Sequence, residues 1–337
     1  MGKKITVTFY QRRARKYNNF SIENYFNAVR AGLSGDIIPK VSISKYESNG
    51  IFRRLYNSIE AISRQSDVNH ITGDVHYLAY FLKRRKTLLS IMDCGQLKVL
   101  KGIKLKLFRF FWFQLPAAKS NYITTISTAT KQDLLNYIRF DEDKIKVIPV
   151  CIADDFKRND KPFNKIRPRI LQVGVTPNKN LERLVTALEN IACVLVIIGN
   201  VPEHIKALAV EKEVALEFFD RPLSMAEVVE QYNLADVITL ISTLEGFGMP
   251  IVEGNTVGRV VITANVTSMP EVAADAAHLA DPFSTESMRE GFNKIINDDG
   301  YRNSLIENGF ENRKRFSKTK IAEQFTGLYK AIAGNQQ

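Results

Sequence analysis

Two glutamates, Glu245 and Glu253, stand eight positions apart in the stretch LEGFGMPIVEG. Between them lie Gly246, Phe247, Gly248, Met249 and Pro250, followed by two aliphatic residues. Ionised carboxylates only accept hydrogen bonds, so a pair of them suits the hydroxyls of a sugar or a ribose. In one continuous helix the two would lie about 12 Å apart along the axis. The intervening residues forbid that arrangement. Gly246 and Gly248 permit close backbone approach and positive φ, and Pro250 fits the first turn of a helix but not its interior. The expected structure is a turn after the strand VITLIS, then a helix starting near Pro250 whose first turn holds Glu253. Such a turn lets both carboxylates face one ligand, and the helix N-terminus adds an anion site for a phosphate. The same residues also fit a plain Gly-rich strand–helix turn, in which Glu253 only offsets the helix dipole by about 0.3–1 kcal/mol.

Cations concentrate elsewhere. Net charge is +11, but residues 1–120 hold 22 Lys+Arg against 7 Asp+Glu, while the remainder holds 25 against 29. The front of the chain therefore suits an anionic partner such as acidic lipid, nucleic acid or a phosphorylated substrate. Two basic stretches stand out. In QRRARKYNNFSIENYF, after the first strand, Arg12, Arg13 and Arg15 have the type and spacing to grip a phosphate bidentately. In KVLKGIKLKLFRFFWFQLP, Lys98, Lys101, Lys104, Lys106 and Arg109 interleave with Leu107, Phe108, Phe110, Phe111, Trp112 and Phe113. That mixture reads as a surface helix lying on anionic lipid, or as a helix with one core face and a basic outer face. Neither an aromatic RNA-binding motif nor a helix-turn-helix signature accompanies the charge, so nucleic acid is not expected as a partner.

The elements that must position these residues alternate short β-rich runs with amphipathic helical stretches, the pattern of parallel α/β units. KITVTFY, IPKVSIS, VNHIT, TLLSIMD, YITTIS and KIKVIPV are expected strands of a first series. RILQVG, CVLVIIG, ALEFFD, VITLIS and RVVITA belong to a second. IENYFNAVRAGL, IFRRLYNSIEAISRQ, NLERLVTALENI and MAEVVEQYNLAD are expected helices, and the chain after Pro282 reads as mainly helical. The polar segment from Asp154 to Arg169 interrupts the pattern as a linker. Two domains follow: residues 1–155, then 166–315, with a last helix over 316–337 that crosses back to the first domain. In doubly wound sheets, ligands bind beyond the carboxyl ends of the strands, and with two domains in the cleft between them.

Composition excludes several classes. No apolar run is long enough to span a membrane, and MGKKITVTFY reads as a strand start and not as a signal peptide. Three widely spaced cysteines, Cys94, Cys151 and Cys193, argue for a reducing, cytoplasmic setting and against a disulfide framework or a zinc site.

STLEGFGMPIVEG, followed by GRVVITANVTSMPEVAADAAHLADPFS, resembles the donor-binding signature of retaining glycosyltransferases of family 4, which have the GT-B fold. Glu245 and Glu253 match that family's paired glutamates, and Pro270, Glu271 and Val272 its Pro-Glu-Val turn. QVGVTPNKNLERLV is similar to the segment whose lysine meets the donor diphosphate, a place that Lys179 occupies, with Gly174 and Asn180 beside it. IGN and FFDRPLSMAEVVEQYNLAD resemble the stretch that brackets the nucleotide base. DVNHITGDVHYLAYFL, TLLSIMDCG and YITTISTATKQDLL follow the outline of the front domain, so the resemblance covers nearly the whole chain.

The resemblance implies an α/β GT-B protein of two Rossmann-like, doubly wound domains facing each other across a cleft. It implies transfer, with retention, of a sugar from a nucleotide-diphosphate sugar to a hydroxyl of a glycan or polyprenyl-linked acceptor. Glu245, Lys179 and Asp93 are then the catalytic set. Gly174, Asn180, Gly246, Phe247, Gly248, Met249, Pro250 and Glu253 bind the donor, with Glu253 on the ribose. Arg12, Arg13, Arg15 and His76 face the acceptor. Neither glutamate acts as a nucleophile, no metal is needed and no cofactor is implied. Polysaccharide or lipopolysaccharide synthesis at the inner face of the plasma membrane, with peripheral contact, is the expected setting.

Two departures mark the site. Val175 stands where relatives carry an arginine that shares the diphosphate with the lysine, and Met92 precedes Asp93 where relatives read His-Asp. His76 is the residue at hand to replace the missing histidine. These departures keep open a non-catalytic GT-B partner subunit, and the fold also serves nucleotide-sugar epimerases and phosphorylases.

Overall fold

The structure, a computed structural model, describes residues 4–13 and 21–334. The chain divides into two compact units, one running to Cys151 and resuming at Lys318, the other spanning Ile152–Ser317.

The first unit is a six-stranded parallel sheet of β1 (Ile5–Gln11), β2 (Ile37–Ile43), β3 (Val68–Thr72), β4 (Thr87–Ile91), β5 (Tyr122–Thr125) and β6 (Ile145–Val147), in the order β2-β1-β3-β4-β5-β6. β3 and β4 are buried along their whole length, as central strands of a parallel sheet are, although β3 carries Asn69, His70 and Thr72. The last helix, Lys318–Gly334, packs into this unit. Its Phe325 and Tyr329 join Phe9, Phe26 and His70 in one aromatic cluster. His70 is fully buried, with Nδ1 2.8 Å from the Tyr329 hydroxyl and Nε2 2.7 Å from Ser90 Oγ. Burial holds its pKa down to about 3, so the ring stays neutral.

The second unit is also a six-stranded parallel sheet: β7 (Arg169–Val173), β8 (Val194–Ile198), β9 (Ala215–Phe219), β10 (Val237–Leu240), β11 (Val260–Ala264) and β12 (His278–Ala280), ordered β12-β11-β10-β7-β8-β9. The polar segment after Asp154 is fastened to this unit. Arg259, 4% exposed, donates to Asn159 O at 2.7 Å, Asn159 Oδ1 at 2.9 Å and Asn233 O at 2.7 Å. Buried Asp236 accepts from Lys161, from Asn164 N at 3.1 Å and from Arg169 N at 2.8 Å. A guanidinium fork between carbonyls explains how a charged residue just before β11 can be buried.

The strands expected from sequence all form; β12, three residues long, was not among them. The three cysteines are buried and free.

Candidate functional site

In the second sheet the strand order reverses between β7 and β10, so the loops leaving those two strands border the crevice where doubly wound sheets take ligands. One loop leaves β7 through Gly174, whose φ of +87° is closed to most side chains. A Cβ there would lie 3.2 Å from Lys179 Cε, so the bare glycine is what lets the lysine stem cross the loop. A tight turn, Pro177–Lys179, follows, and Asn180 in the left-handed region opens the helix Leu181–Ala187. The other loop leaves β10 and reaches Gly248, whose φ of +107° caps the helix Met249–Val257, with Pro250 in its opening turn.

Hydrogen bonds close the two loops on each other. Thr243 N donates to Asn178 O at 2.8 Å, and Asn178 Nδ2 to Leu244 O at 2.8 Å. Asn180 Nδ2 donates to Ile241 O at 3.2 Å and Pro282 O at 2.6 Å. From the turn after β11, Ser268 Oγ donates to Glu245 O at 3.1 Å and Phe247 O at 2.9 Å. Each bond satisfies backbone that the glycine-rich loop leaves without a ladder partner.

This frame sets Lys179 Nζ 2.7 Å from Glu245 Oε1, with the two side chains 15% and 17% exposed. Glu253 is not in the first turn of its helix, as the sequence suggested. The helix begins at Met249, which puts Glu253 one turn in and takes it out of reach of the helix-end amides. Its carboxylate instead accepts from the hydroxyl of Tyr232, a fully buried residue packed edge-on against Phe156 at 5.2 Å. Burial pushes the Glu253 carboxyl up to about 7, opposed by the Tyr232 hydrogen bond and the Lys179 charge. Lys179 thus pairs directly with one carboxylate, and its charge acts on a second, whose pKa burial holds up. Val175, at the place expected of an arginine, packs on Gly199: a Cβ there would meet Val175 Cγ1 at 2.8 Å.

The remaining candidates lie in the first unit. Its sheet reverses order between β1 and β3, and Arg12 and Asp74 follow those two strands. Arg12 is 7% exposed and bonds Glu23 at 2.7 Å and Asp74 at 2.5 Å, so its guanidinium is engaged by protein carboxylates. Arg13 is exposed and donates to Lys45 O at 2.9 Å. Arg15 lies outside the described residues. His76 is buried, with Nδ1 2.9 Å from Trp112 O and its ring against Trp112 and Phe113. Burial lowers its pKa, and the surroundings are those of a core residue where an acceptor contact was expected. Asp93 is exposed after β4, its Oδ1 accepting from Gly95 N at 2.9 Å. Met92 is half-buried and packs against the core of the unit.

Sequence reasoning missed Asn178, Tyr232 and Ser268. All three sit inside the stretches that carried the resemblance, but spacing alone does not say which side chain bonds which carbonyl.

Residues 153–312 match the family model described as Glycosyl transferases group 1. Over 101 residues, 30% of this chain and 26% of the relative, the sequence is 34% identical to O-antigen chain mannosyltransferase B of Escherichia coli. The chain spans about a quarter to a third of the length of the curated relatives that it first matches. Among solved structures, sucrose-phosphate synthase of Thermosynechococcus elongatus superposes with a TM-score of 0.79 at 15% identity, covering 98% of this chain and 100% of that one. HepE of Anabaena, solved in complex with UDP and glucose, gives 0.75 at 13% identity, over 97% of this chain and 100% of that one. At such identities the likeness is one of fold.

Proposed function

We propose, for a chain that belongs to the glycosyl transferases group 1 family through residues 153–312 and has the GT-B fold, that it transfers a sugar with retention from a nucleotide-diphosphate sugar to a glycan or lipid-linked hydroxyl. The observation that carries this reading is the Lys179–Glu245 ion pair at the carboxyl edge of β7 and β10, with Glu253 beside it.

In this reading the donor diphosphate replaces Glu245 as the partner of Lys179. Glu245, released, accepts from hydroxyls of the sugar, while Glu253 accepts from the ribose. The N-terminus of the helix Met249–Val257 adds its dipole to the Lys179 charge at the leaving diphosphate. Retention follows if the diphosphate leaves from the face by which the acceptor hydroxyl enters and itself takes that proton. No protein nucleophile and no metal are required. Asp93, exposed after β4, is the remaining member of the proposed catalytic set.

The first unit supports a lipid-linked acceptor and peripheral contact with an anionic membrane. Around the helix Gly102–Phe108 and the π-helical turn Arg109–Gln114, Ile103, Leu107, Phe110 and Phe111 are exposed among Lys101, Lys104, Lys106 and Arg109. No helix among the described residues is long and apolar enough to cross a membrane. The partial match to an O-antigen mannosyltransferase supports a surface polysaccharide as the product.

The test is a thermal-shift panel of UDP, GDP, ADP and their sugars, followed by transfer of labelled sugar to polyprenyl-linked glycans. Saturation at 100 times Kd should stabilise the protein by about 2.7 kcal/mol. If no nucleoside diphosphate stabilises it, the reading fails. Nucleotide binding without transfer to any acceptor favours the non-catalytic subunit.

A further inference from the structure

The helix Ile51–Ser63 is amphipathic with its apolar face turned outward. Asn57, Ser58 and Ala61 point inward and are buried. Asn57 Nδ2 donates to Tyr46 O at 2.9 Å and to the Tyr77 hydroxyl at 3.1 Å, and Ser58 Oγ to Arg54 O at 2.9 Å. The outward face carries Ile51, Phe52, Leu55, Tyr56, Ile59 and Ile62, with exposures from 43% to 87%. Ile43, 54% exposed, extends this face onto β2, the edge strand of its sheet.

At about 150–250 Å² for a large side chain, the helix alone exposes roughly 600–800 Å² of side-chain surface. Monomeric proteins rarely carry a contiguous apolar patch beyond about 300–600 Å², whereas a standard interface buries about 800 Å² on each partner.

We propose that this face docks against the same face of a second copy of the chain, helix to helix about a two-fold axis. The spacing points to a helix as the occupant. Phe52, Leu55, Ile59 and Ile62 follow intervals of three, four and three, the apolar seam of paired helices. That seam reads the same from either end, so an antiparallel mate meets it in register. Phe52 then packs on the partner's Ile62, and Leu55 on the partner's Ile59, as an isologous contact requires. Charge separates this surface from the other exposed apolar patch. Basic residues interleave with the apolar ones around Gly102–Gln114, as an anionic bilayer favours. The seam residues of Ile51–Ser63 are uncharged, with Arg53 at their border and Arg54 turned away to donate to Ser48 O at 2.9 Å, so the apolar contact and not charge dominates this face.

Light scattering of the full chain after size-exclusion chromatography, across the micromolar range, tests the proposal. The wild type should shift from one to two chain masses as concentration rises. Leu55→Glu and Ile59→Lys should each hold the chain monomeric, with melting and circular dichroism matching the dilute wild type, because both residues are exposed. Combining the two should restore the dimer, since the new charges face each other across the axis. A wild type that stays monomeric overturns the proposal, as does a dimer indifferent to both variants or a double variant that remains monomeric. Loss of binding to phosphatidylglycerol vesicles by the monomeric L55E, with no change in wild-type mass, would assign the face to the bilayer instead.

Discussion

Lys179 and Glu245 are ion-paired at 2.7 Å across two loops that leave neighbouring strands of the second sheet. Glu253, in the helix beyond, is bonded to Tyr232 and feels the charge of the same ammonium. An anion that enters here competes with a carboxylate already in place, which makes Lys179 a guarded cation.

Exchange of partners predicts opposite effects of two substitutions. Lys179→Met should weaken nucleoside diphosphate binding about 10–100-fold, the loss of a charge-assisted hydrogen bond of about 1.5–3 kcal/mol. Glu245→Gln removes the competitor for the lysine, so nucleoside diphosphate should bind at least as tightly while sugar transfer collapses. Calorimetry with the bare diphosphate and a transfer assay with the full donor separate the two. Weaker diphosphate binding in Glu245→Gln would contradict the exchange.

The state of Glu253 predicts a pH dependence of binding. Its carboxyl titrates near 7, so the fraction able to accept from a ribose rises as pH increases through that value. Affinity for a nucleoside diphosphate should therefore climb between about pH 6 and pH 8, beyond what the ligand's own phosphate accounts for. In Glu253→Gln the extra climb should vanish. Binding of the corresponding 2′,3′-dideoxynucleotide should lack it as well.

Stability should move the other way. The folded carboxyl titrates near 7, above its ordinary value, so folding binds a proton more tightly than the unfolded chain does. That contribution is complete below the unfolded value and is lost as pH rises through about 7. Glu253→Gln should match the wild type near pH 4.5 and exceed it by about 2–3 kcal/mol near pH 8. Denaturant melts at the two pH values read this directly, and a constant difference would point to packing instead.

Two glycines should fail for different reasons. Gly248→Ala forces a Cβ at φ +107° to within 3.1 Å of Ile251 and 3.3 Å of Leu240, and should cost about 1–3 kcal/mol of stability. Gly174→Ala meets Lys179 Cε at 3.2 Å, and the lysine is the part able to move. It should weaken nucleoside diphosphate binding more than Gly248→Ala does, relative to the stability each loses. Equal losses of affinity would remove Lys179 from the argument.

Much of this was legible from sequence because parallel strands buried on both faces are written as short apolar runs. The linker segment was harder, since polar residues between two sheets read alike whether they hang free or are held by Arg259 and Asp236. Glu253 was placed in the first turn because Pro250 marks that turn without saying which of its positions it fills; the helix starts one residue earlier, at Met249. The surroundings of Arg12 and His76 were not legible for a common reason: a charged or titratable residue in a loop next to a strand end is expected to face solvent. Only the fold shows that carboxylates or aromatic rings have enclosed it. The helix Ile51–Ser63 has the clearest amphipathic pattern of the front half, yet periodicity does not say which way the apolar face turns.

The return of the helix Lys318–Gly334 to the first unit makes the second unit an insertion, its two ends joined by a hydrogen bond of 3.0 Å from Ile152 N to Phe316 O. During synthesis the inserted unit has all of its strands out of the ribosome before the first unit receives Phe325 and Tyr329, on which its aromatic cluster depends. The part of the chain made first is therefore the part finished last, and a nascent chain stalled before Lys318 carries a complete second unit on an unfinished first one.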